Sequence, residues 1–222
     1  MLDLLLPQRC LVCRAGGAQL CAACRASLPP LVPPLCERCG APTAWPVARC
    51  LECAGRRLDF ASARAAVAYD PDVRRVVAAW KEHGLRRLAA EAAAVVAERL
   101  PRPEADVLAY VPADGDRRRE RGHHPAGRLA AALAVRWQLP CEPLLVRAGG
   151  SRRQRGLPLA DRRRNVAGAF AARVAAPARV ILLDDVYTTG ATVGAAARAL
   201  RRAGAERVDV VTFARAVRAM RG

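Results

Sequence analysis

The chain has 222 residues, enough for one ordinary hydrophobic core and a small additional module. Hydrophobic residues make up 53% of it and charged residues 26%, which is typical of a globular protein and excludes a disordered tail. The formal net charge of +17 favours anionic partners. Of the 37 basic residues all but Lys81 are arginine, however, a bias that also fits a GC-rich genome.

No apolar run reaches the ~18 residues that a membrane-spanning helix needs. The first residues, MLDLLLPQRC, lack the basic start and the small-residue cleavage site of a signal peptide. We therefore expect a cytoplasmic protein without membrane insertion.

Eight of the nine cysteines form four successive CxxC pairs before residue 54. Each CxxC turn places two thiolates on one side of a bend, and two turns complete the tetrahedral sulfur shell of Zn²⁺. Disulfides and an iron–sulfur cluster fit less well, because there is no secretory signal and the spacings differ. The sequence predicts two structural zinc sites. The prolines at residues 29–34 divide the cysteines four and four and favour pairing in sequence order over cross-braced pairing, but the spacing alone leaves both pairings open. The predicted ligands are Cys10, Cys13, Cys21, Cys24, Cys36, Cys39, Cys50 and Cys53.

The composition changes near residue 55, so we place a double zinc-ribbon domain at 1–57 and a second domain at 58–222. In chain order, the second domain begins with a strand in ARAAVAY and two helices, DPDVRRVVAAWKEHG and RRLAAEAAAVVAERL. A buried strand at 106–112, a helix in HPAGRLAAALAVRWQL and a short strand in PLLVR follow.

The last part of the chain has the pattern of a strand–helix–strand unit. RVILLDD at 179–185 has the continuous apolar character of a central parallel strand, TVGAAARALRRAG is apolar along one helical face, and RVDVVTFAR at 207–215 supplies the next strand. Such a unit crosses over right-handed in a parallel sheet. We therefore expect an α/β fold, a doubly wound and mainly parallel sheet, behind the small double zinc-ribbon module.

Residues 180–193, VILLDDVYTTGATV, join a buried strand to a helix through two carboxylates and a loop of small residues. Ligands of parallel sheets bind at the carboxyl ends of strands, and a helix N-terminus offers free N–H groups to phosphate. Asp184 and Asp185 can accept hydrogen bonds from a ribose diol. The alternative, an Asp helix cap with a Thr-rich turn, leaves adjacent carboxylates at the end of a buried strand unexplained.

This segment resembles the binding motif for 5-phosphoribosyl-1-pyrophosphate (PRPP) of type I phosphoribosyltransferases, and nearly the whole chain resembles the ComF family. The resemblance covers the CxxC pairs, WKEHG, VPADGDRRRERGHHPAG, QRGLPLADRRRNVAGAF and the PRPP motif. It implies a type I phosphoribosyltransferase-like domain behind the zinc ribbons and an association with DNA uptake in natural transformation. It further implies that Asp184 and Asp185 hold the ribose hydroxyls and that the 5-phosphate is cradled by Thr188, Thr189, Gly190, Ala191 and Thr192.

By the same resemblance Val111, Pro112 and Ala113 begin a pyrophosphate loop, with Arg117, Arg119 and the catalytic candidate Arg121 near the pyrophosphate. This chain has VPADGD and RGHHPA where the family usually has VPVPLS and RGFNQA, so Asp114 and Asp116 add negative charge there. The residues His123 and His124 are either a proton carrier or a polar helix start, and Lys81 is either a phosphate contact or a solvated charge. The family's mobile loop corresponds to Gln154–Phe170, with Gln154, Arg162 to Arg164 and Asn165 as its polar residues.

Three functions remain open at this point. The chain is a phosphoribosyltransferase using Mg²⁺, which would bridge pyrophosphate and ribose oxygens, or a catalytically silent PRPP-binding accessory protein. The third alternative is a zinc-ribbon protein that binds single-stranded DNA, although few aromatic residues are present for base stacking. The expected partners are PRPP, single-stranded DNA and DNA-uptake proteins.

Overall fold

The computed structural model describes residues 8–82, 87–113, 124–148 and 168–217. Its helices are α1 Ala22–Ser27, α2 Pro71–Glu82, α3 Leu88–Arg99, α4 Pro125–Trp137 and α5 Ala191–Arg202. Its strands are β1 Ser62–Ala68, β2 Val107–Tyr110, β3 Cys141–Glu142, β4 Leu145–Arg147, β5 Phe170–Ala172, β6 Arg179–Tyr187 and β7 Arg207–Arg215. Among these residues, no helix has both the length and the apolar character to span a bilayer.

Five strands form the main sheet in the order β1-β7-β6-β2-β3, and every neighbouring pair is parallel. A separate antiparallel pair joins β4 to β5. The continuous apolar runs of β6 and β7 explain their central position, because a parallel strand covered on both faces has to be hydrophobic on both. The strands β3 and β5 were not predicted, because they have two and three residues and are too short for a clear periodic pattern.

Helices cover both faces of this sheet. One buried cluster joins α2, α3 and α4 to Ile181 and Leu183 of β6. The other joins α5 to Val180 and Leu182, which point to the opposite face because side chains alternate along a strand. The predicted fold class, a doubly wound and mainly parallel α/β sheet behind a cysteine-rich N-terminal module, is confirmed.

Each half of the cysteine-rich module packs on a different face of the domain. Cys10 and Cys24 belong to the cluster that contains α2 and α3, whereas Cys36, Cys39 and Cys53 belong to the cluster that contains α5. Arg99 of α3 donates to the backbone oxygen of Leu28, at 2.9 Å, and so ties the first half to its helix. The two halves are therefore parts of the two hydrophobic cores rather than a separate appendage.

Strand β6 corrects one expectation from the sequence. The strand was expected to end at residue 185, but it continues to Tyr187, because β7 pairs with it through the contacts Asp184–Thr212, Val186–Ala214 and Tyr187–Arg215. On its other side the pairing with β2 ends at Tyr110–Leu183. The two carboxylates are thus held in register by β7 and lie beyond the end of β2, where the edge of the sheet is open.

Candidate ligand site and metal centres

The eight predicted ligand cysteines form two compact groups, Cys10/Cys13/Cys21/Cys24 and Cys36/Cys39/Cys50/Cys53, with all sulfur atoms of a group within 4.8 Å of one another. The Sγ atoms of Cys36 and Cys53 are 3.7 Å apart and those of Cys39 and Cys50 are 3.5 Å apart. Four thiolates about 2.3 Å from a tetrahedral Zn²⁺ would lie about 3.8 Å apart, whereas a disulfide needs about 2 Å. The chain therefore has two zinc-binding sites of four cysteines each, paired in sequence order as predicted.

Around the predicted phosphate loop, strand β6, the left-handed residue Gly190 and the N-terminus of α5 follow one another directly. Thr188 and Thr189 are exposed, and Ala191 and Thr192 are partly exposed. Gly190 has no side chain that could cap α5, and among the first N–H groups that of Ala191 makes a long hydrogen bond of 3.4 Å to Thr189 Oγ1. Because the first N–H groups of a helix lack intrahelical partners, this end of α5 can accept an anion.

Gly190 is required at its position for two reasons. Its φ of +73° lies in the left-handed region, which side-chain-bearing residues rarely adopt. A Cβ placed on it would lie 2.3 Å from the Tyr187 hydroxyl. The Tyr187 ring is itself fixed, since it packs edge-on against Phe60 with ring centroids 6.4 Å apart. Burial raises the pKa of Tyr187, so its phenol stays neutral at physiological pH.

The two carboxylates of β6 have different surroundings. Asp185 is 8% exposed, and its Oδ2 atom lies 2.6 Å from Nζ of Lys81, while its Oδ1 atom accepts a hydrogen bond from its neighbour Val186 N–H. Asp184 is half-buried and accepts from the N–H of Asp185 at 2.9 Å. Lys81 is thus paired with Asp185 and is not a fully solvated charge at the end of its helix.

The pKa of Asp184 is raised to about 8. Burial is the main cause and the charge of Asp185 the second, while the hydrogen bond from the Asp185 N–H and the charges of Lys81 and Arg147 act in the opposite direction. Part of the side chain still reaches solvent, so water moderates the desolvation. At neutral pH the carboxyl group of Asp184 is therefore mainly protonated.

This raised pKa predicts a pH-dependent stability that Asp184→Asn should reduce. Folded Asp184 keeps a proton that the unfolded chain releases above about pH 4, so the free energy of unfolding falls as pH rises from about 4 to about 8. Calorimetric melting at pH 5 and pH 8 should show a smaller fall in the variant, by on the order of 2 kcal/mol. Asp72→Asn makes the same substitution on α2, outside the site, and is the control. Equal slopes in wild type and Asp184→Asn would contradict the prediction.

The start of the predicted pyrophosphate loop lies beside the couplet. The N–H of Val111 donates to the oxygen of Leu183, directly before Asp184, at 2.9 Å. The N–H of Ala113 lies 2.8 Å from Nε2 of His124, and Arg147 donates to the oxygen of Pro112 at 3.3 Å. The remaining predicted residues of this loop and of the mobile loop lie outside the described residues: Asp114, Asp116, Arg117, Arg119, Arg121, His123, Gln154, Arg162 to Arg164 and Asn165.

His124 serves as the N-cap of α4. Its Nδ1 atom lies 3.0 Å from the N–H of Gly127, and its ring packs edge-on against Tyr110. A neutral imidazole has one acceptor nitrogen, so it can accept from either Gly127 or Ala113 but not from both. Of the two interpretations of the histidine pair, the structure places His124 at a polar helix start.

Two arginines that the sequence analysis missed connect the second zinc ribbon with the phosphate loop and with the end of β6. Arg56 donates to the oxygen of Thr189 at 2.7 Å. Arg215, 1% exposed, donates to the oxygen of Cys39 at 2.6 Å, lies 2.9 Å from Glu52 Oε2 and stacks 4.4 Å from the centre of the Tyr187 ring. Because a charge at the end of a buried strand needs partners, the position of Arg215 after an apolar run was the available signal.

Comparison with known proteins agrees with this architecture. Residues 1–55 match the family described as a double zinc ribbon domain. The curated Competence protein F of Haemophilus influenzae is 35% identical over 122 residues, which cover 53% of this chain and 52% of that protein. The chain is similar to Competence protein F over this region. It spans about half the length of this curated relative.

The chain also shares partial structural similarity with solved enzymes. The glutamine PRPP amidotransferase from B. subtilis is 24% identical, with a TM-score of 0.40 over 56% of this chain and 26% of that one. The adenine phosphoribosyltransferase from Thermoanaerobacter pseudethanolicus is 14% identical, with a TM-score of 0.39 over 64% of this chain and 85% of that one. Since these scores are low, the fold assignment rests on the sheet topology itself.

Proposed function

We propose that this chain binds PRPP at the carboxyl edge of its sheet. The observation that carries the proposal is the juxtaposition of Asp184 and Asp185 with the open N-terminus of α5 and with Val111 to Ala113. A diol can be bound by the carboxylates while the 5-phosphate occupies the loop from Thr188 to Thr192, about one helix turn further along. The pyrophosphate would then face the loop that begins at Val111.

The roles of the individual groups follow from their surroundings. Asp185, held by Lys81, is oriented before a ligand arrives, and Asp184 presents its more exposed carboxyl group to the ribose hydroxyls. Thr188, Thr189, Gly190, Ala191 and Thr192 supply hydroxyl and N–H donors to the phosphate. Arg147, near Pro112, and the arginines Arg117 and Arg121 add the positive charge that pyrophosphate requires.

A magnesium ion fits this edge only as part of the ligand complex. Asp185 is already bound to Lys81 and to the N–H of Val186, and no cluster of three acidic or histidine side chains occurs at this edge within the described residues. Mg²⁺ would therefore be held mainly by pyrophosphate and ribose oxygens, where it would assist the departure of pyrophosphate. The chain's own residues bind and orient the sugar phosphate.

Calorimetric titration with Mg·PRPP tests the proposal. The variant Asp184→Ala/Asp185→Ala should bind at least about a hundredfold more weakly than wild type, because the hydrogen bonds of both carboxyl groups to the ribose diol are lost. Asp72→Ala/Glu104→Ala removes two carboxyl groups from side chains outside the site and should bind normally. Zinc content and melting temperature establish that each variant is folded. Unchanged PRPP affinity in the Asp184→Ala/Asp185→Ala variant would contradict the proposed PRPP site.

The same titration, followed by an assay for released pyrophosphate, separates a phosphoribosyltransferase from a silent PRPP-binding protein. Release that depends on an added acceptor supports transfer of the phosphoribosyl group, and tight binding without release supports the accessory protein. We also propose a role in DNA uptake with single-stranded DNA and uptake proteins as partners. The name of the curated relative and the net charge of +17 support this part.

A further inference from the structure

A cavity of about 620 Å³ lies at the opposite, amino edge of the sheet. It is bounded by residues 57–61 before β1, by residues 206–208 at the start of β7 and by the C-terminal half of α5. Arg198, the lining residue of α5 nearest to the phosphate loop, lies eight residues beyond Gly190. At about 1.5 Å per residue, roughly 12 Å along the helix separate the cavity from that loop. The cavity is therefore distinct from the carboxyl edge.

The lining of this cavity is strongly basic. Two carboxylates, Asp59 and Glu206, face six arginines, which leaves a net charge of +4. Such a concentration of like charge destabilises the unliganded protein through repulsion and attracts anions. The arginines are Arg38, Arg57, Arg198, Arg201, Arg202 and Arg207.

Helix α5 alone does not account for this convergence. Arg201 and Arg202 lie in the last turn of α5, where a cation also stabilises the helix. The other arginines come from the second zinc ribbon, from the segment before β1, from the middle of α5 and from the start of β7. Four separate parts of the chain therefore bring guanidinium groups to one cavity.

The nearby carboxylates neutralise only part of this charge. Asp59 accepts from Arg198 at 2.8 Å and lies 3.6 Å from Arg57, and Asp209 accepts from Arg207 at 2.6 Å. Within the described part of the chain, Arg202 makes no ion pair or hydrogen bond through its side chain. Arg38 donates one hydrogen bond to the oxygen of Leu58, yet its Nε atom is buried without a partner among these residues.

We propose that this cavity binds the phosphate groups of a small oligophosphate, either inorganic or carried by a nucleotide. Guanidinium groups match phosphate oxygens in geometry and charge, and a volume of 620 Å³ lies within the range of small-molecule sites. The one aromatic side chain in the lining, Phe60, is 1% exposed and presents no face for stacking a base. Recognition is therefore through phosphate, and it does not depend on PRPP binding at the other edge.

Calorimetric titration of the zinc-loaded full chain with inorganic triphosphate tests this site, with saturating Mg·PRPP present so that the carboxyl edge is occupied. Arg57→Ala/Arg202→Ala should weaken triphosphate binding about tenfold, because both side chains are exposed and lose direct charge-assisted contacts. A parallel titration with ATP identifies the source of the phosphates. Tighter binding of ATP indicates a nucleotide, and equal binding indicates recognition of the phosphate groups alone.

Arg136→Ala is the matched control, because Arg136 is an exposed arginine in the last turn of α4 on the other face of the sheet. It should leave triphosphate affinity unchanged. The same loss of binding free energy per removed arginine in Arg136→Ala and in Arg57→Ala/Arg202→Ala would reduce the effect to general electrostatics and overturn the proposal. The proposal also fails if triphosphate does not bind, or if single-stranded DNA alone binds in a manner sensitive to Arg202.

Discussion

A Cys50→Ser variant is expected to lose one of the two zinc ions, to melt roughly 10 °C below wild type and to lose most of its PRPP affinity. Cys50 belongs to the second cysteine group, three of whose members, Cys36, Cys39 and Cys53, are buried in the core that contains α5. Structural zinc contributes folding free energy directly, so losing the ion loosens this core as well as the ribbon.

The effect on PRPP follows from the contacts between this ribbon and the phosphate loop. A site of Zn²⁺ and four thiolates carries two negative charges, and Arg215 lies 3.8 Å from the sulfur of Cys39. Without the ion, Arg215 loses part of its charge partner while it still packs on Tyr187, the residue that supports Gly190. Arg56 would also release the oxygen of Thr189. The loop then loses its defined shape.

Cys13→Ser is the matched control, since it removes the other zinc ion. Its cysteine group packs against α3 through Arg25 and Arg99. This is the face of the sheet opposite to the second cysteine group. We expect a lower melting temperature but a PRPP affinity within about twofold of wild type. Zinc content, melting temperature and PRPP titration give the three readouts. Equal losses of PRPP affinity in both cysteine variants would refute the coupling.

Gly190→Ala is expected to lower stability by about 3 kcal/mol and to abolish PRPP binding, whereas Gly194→Ala, one helical turn away, should raise stability by about 0.5–1 kcal/mol. The Cβ at residue 190 would lie 2.3 Å from the Tyr187 hydroxyl and 2.6 Å from its Cζ atom, on a backbone with a φ of +73°. At Gly194 nothing lies within 4 Å of an added Cβ, apart from the helix's own backbone.

Tyr187 has little freedom to move away from the added Cβ, because its ring is held between Phe60 and Arg215. The loop must therefore move instead, which misplaces the N–H groups at the start of α5. Thermal denaturation and PRPP titration of the two alanine variants measure the contrast. Destabilisation by Gly194→Ala, or an unchanged melting temperature in Gly190→Ala, would contradict this account of the loop.

Structural features that are encoded by residues close together in the sequence were predicted correctly. A CxxC turn determines its own geometry, and four such turns predicted two metal groups. The prolines between the second and third turns favoured the pairing in sequence order that the structure shows. The apolar run before Asp184 predicted a central strand, and the alternation of strands and helices predicted the parallel sheet. The position of Val111 at the ligand site was expected only from the family resemblance, and the pairing of β2 with β6 places it beside the couplet.

Contacts between residues distant in the chain could not be predicted in this way. Lys81 and Asp185 are separated by 104 positions and meet only because α2 and β6 belong to the same packed face. The end of β6 was misplaced by two residues, because its length depends on pairing with β7 and not on its own composition. The basic cavity is assembled from arginines in four separate parts of the chain, where each part has the pattern of an ordinary charged surface.

The amino-acid sequence by itself determined the two metal sites, the parallel α/β sheet and the carboxylate couplet ahead of a glycine-containing loop, because each is encoded within a few consecutive residues or in a short period. Only the tertiary structure decided which charges face each other. It paired Lys81 with Asp185, placed Arg215 between Cys39 and Tyr187, and gathered six arginines at the amino edge of the sheet. The physical reason is that electrostatic interactions depend on distance and burial, and both are set by packing rather than by position in the chain.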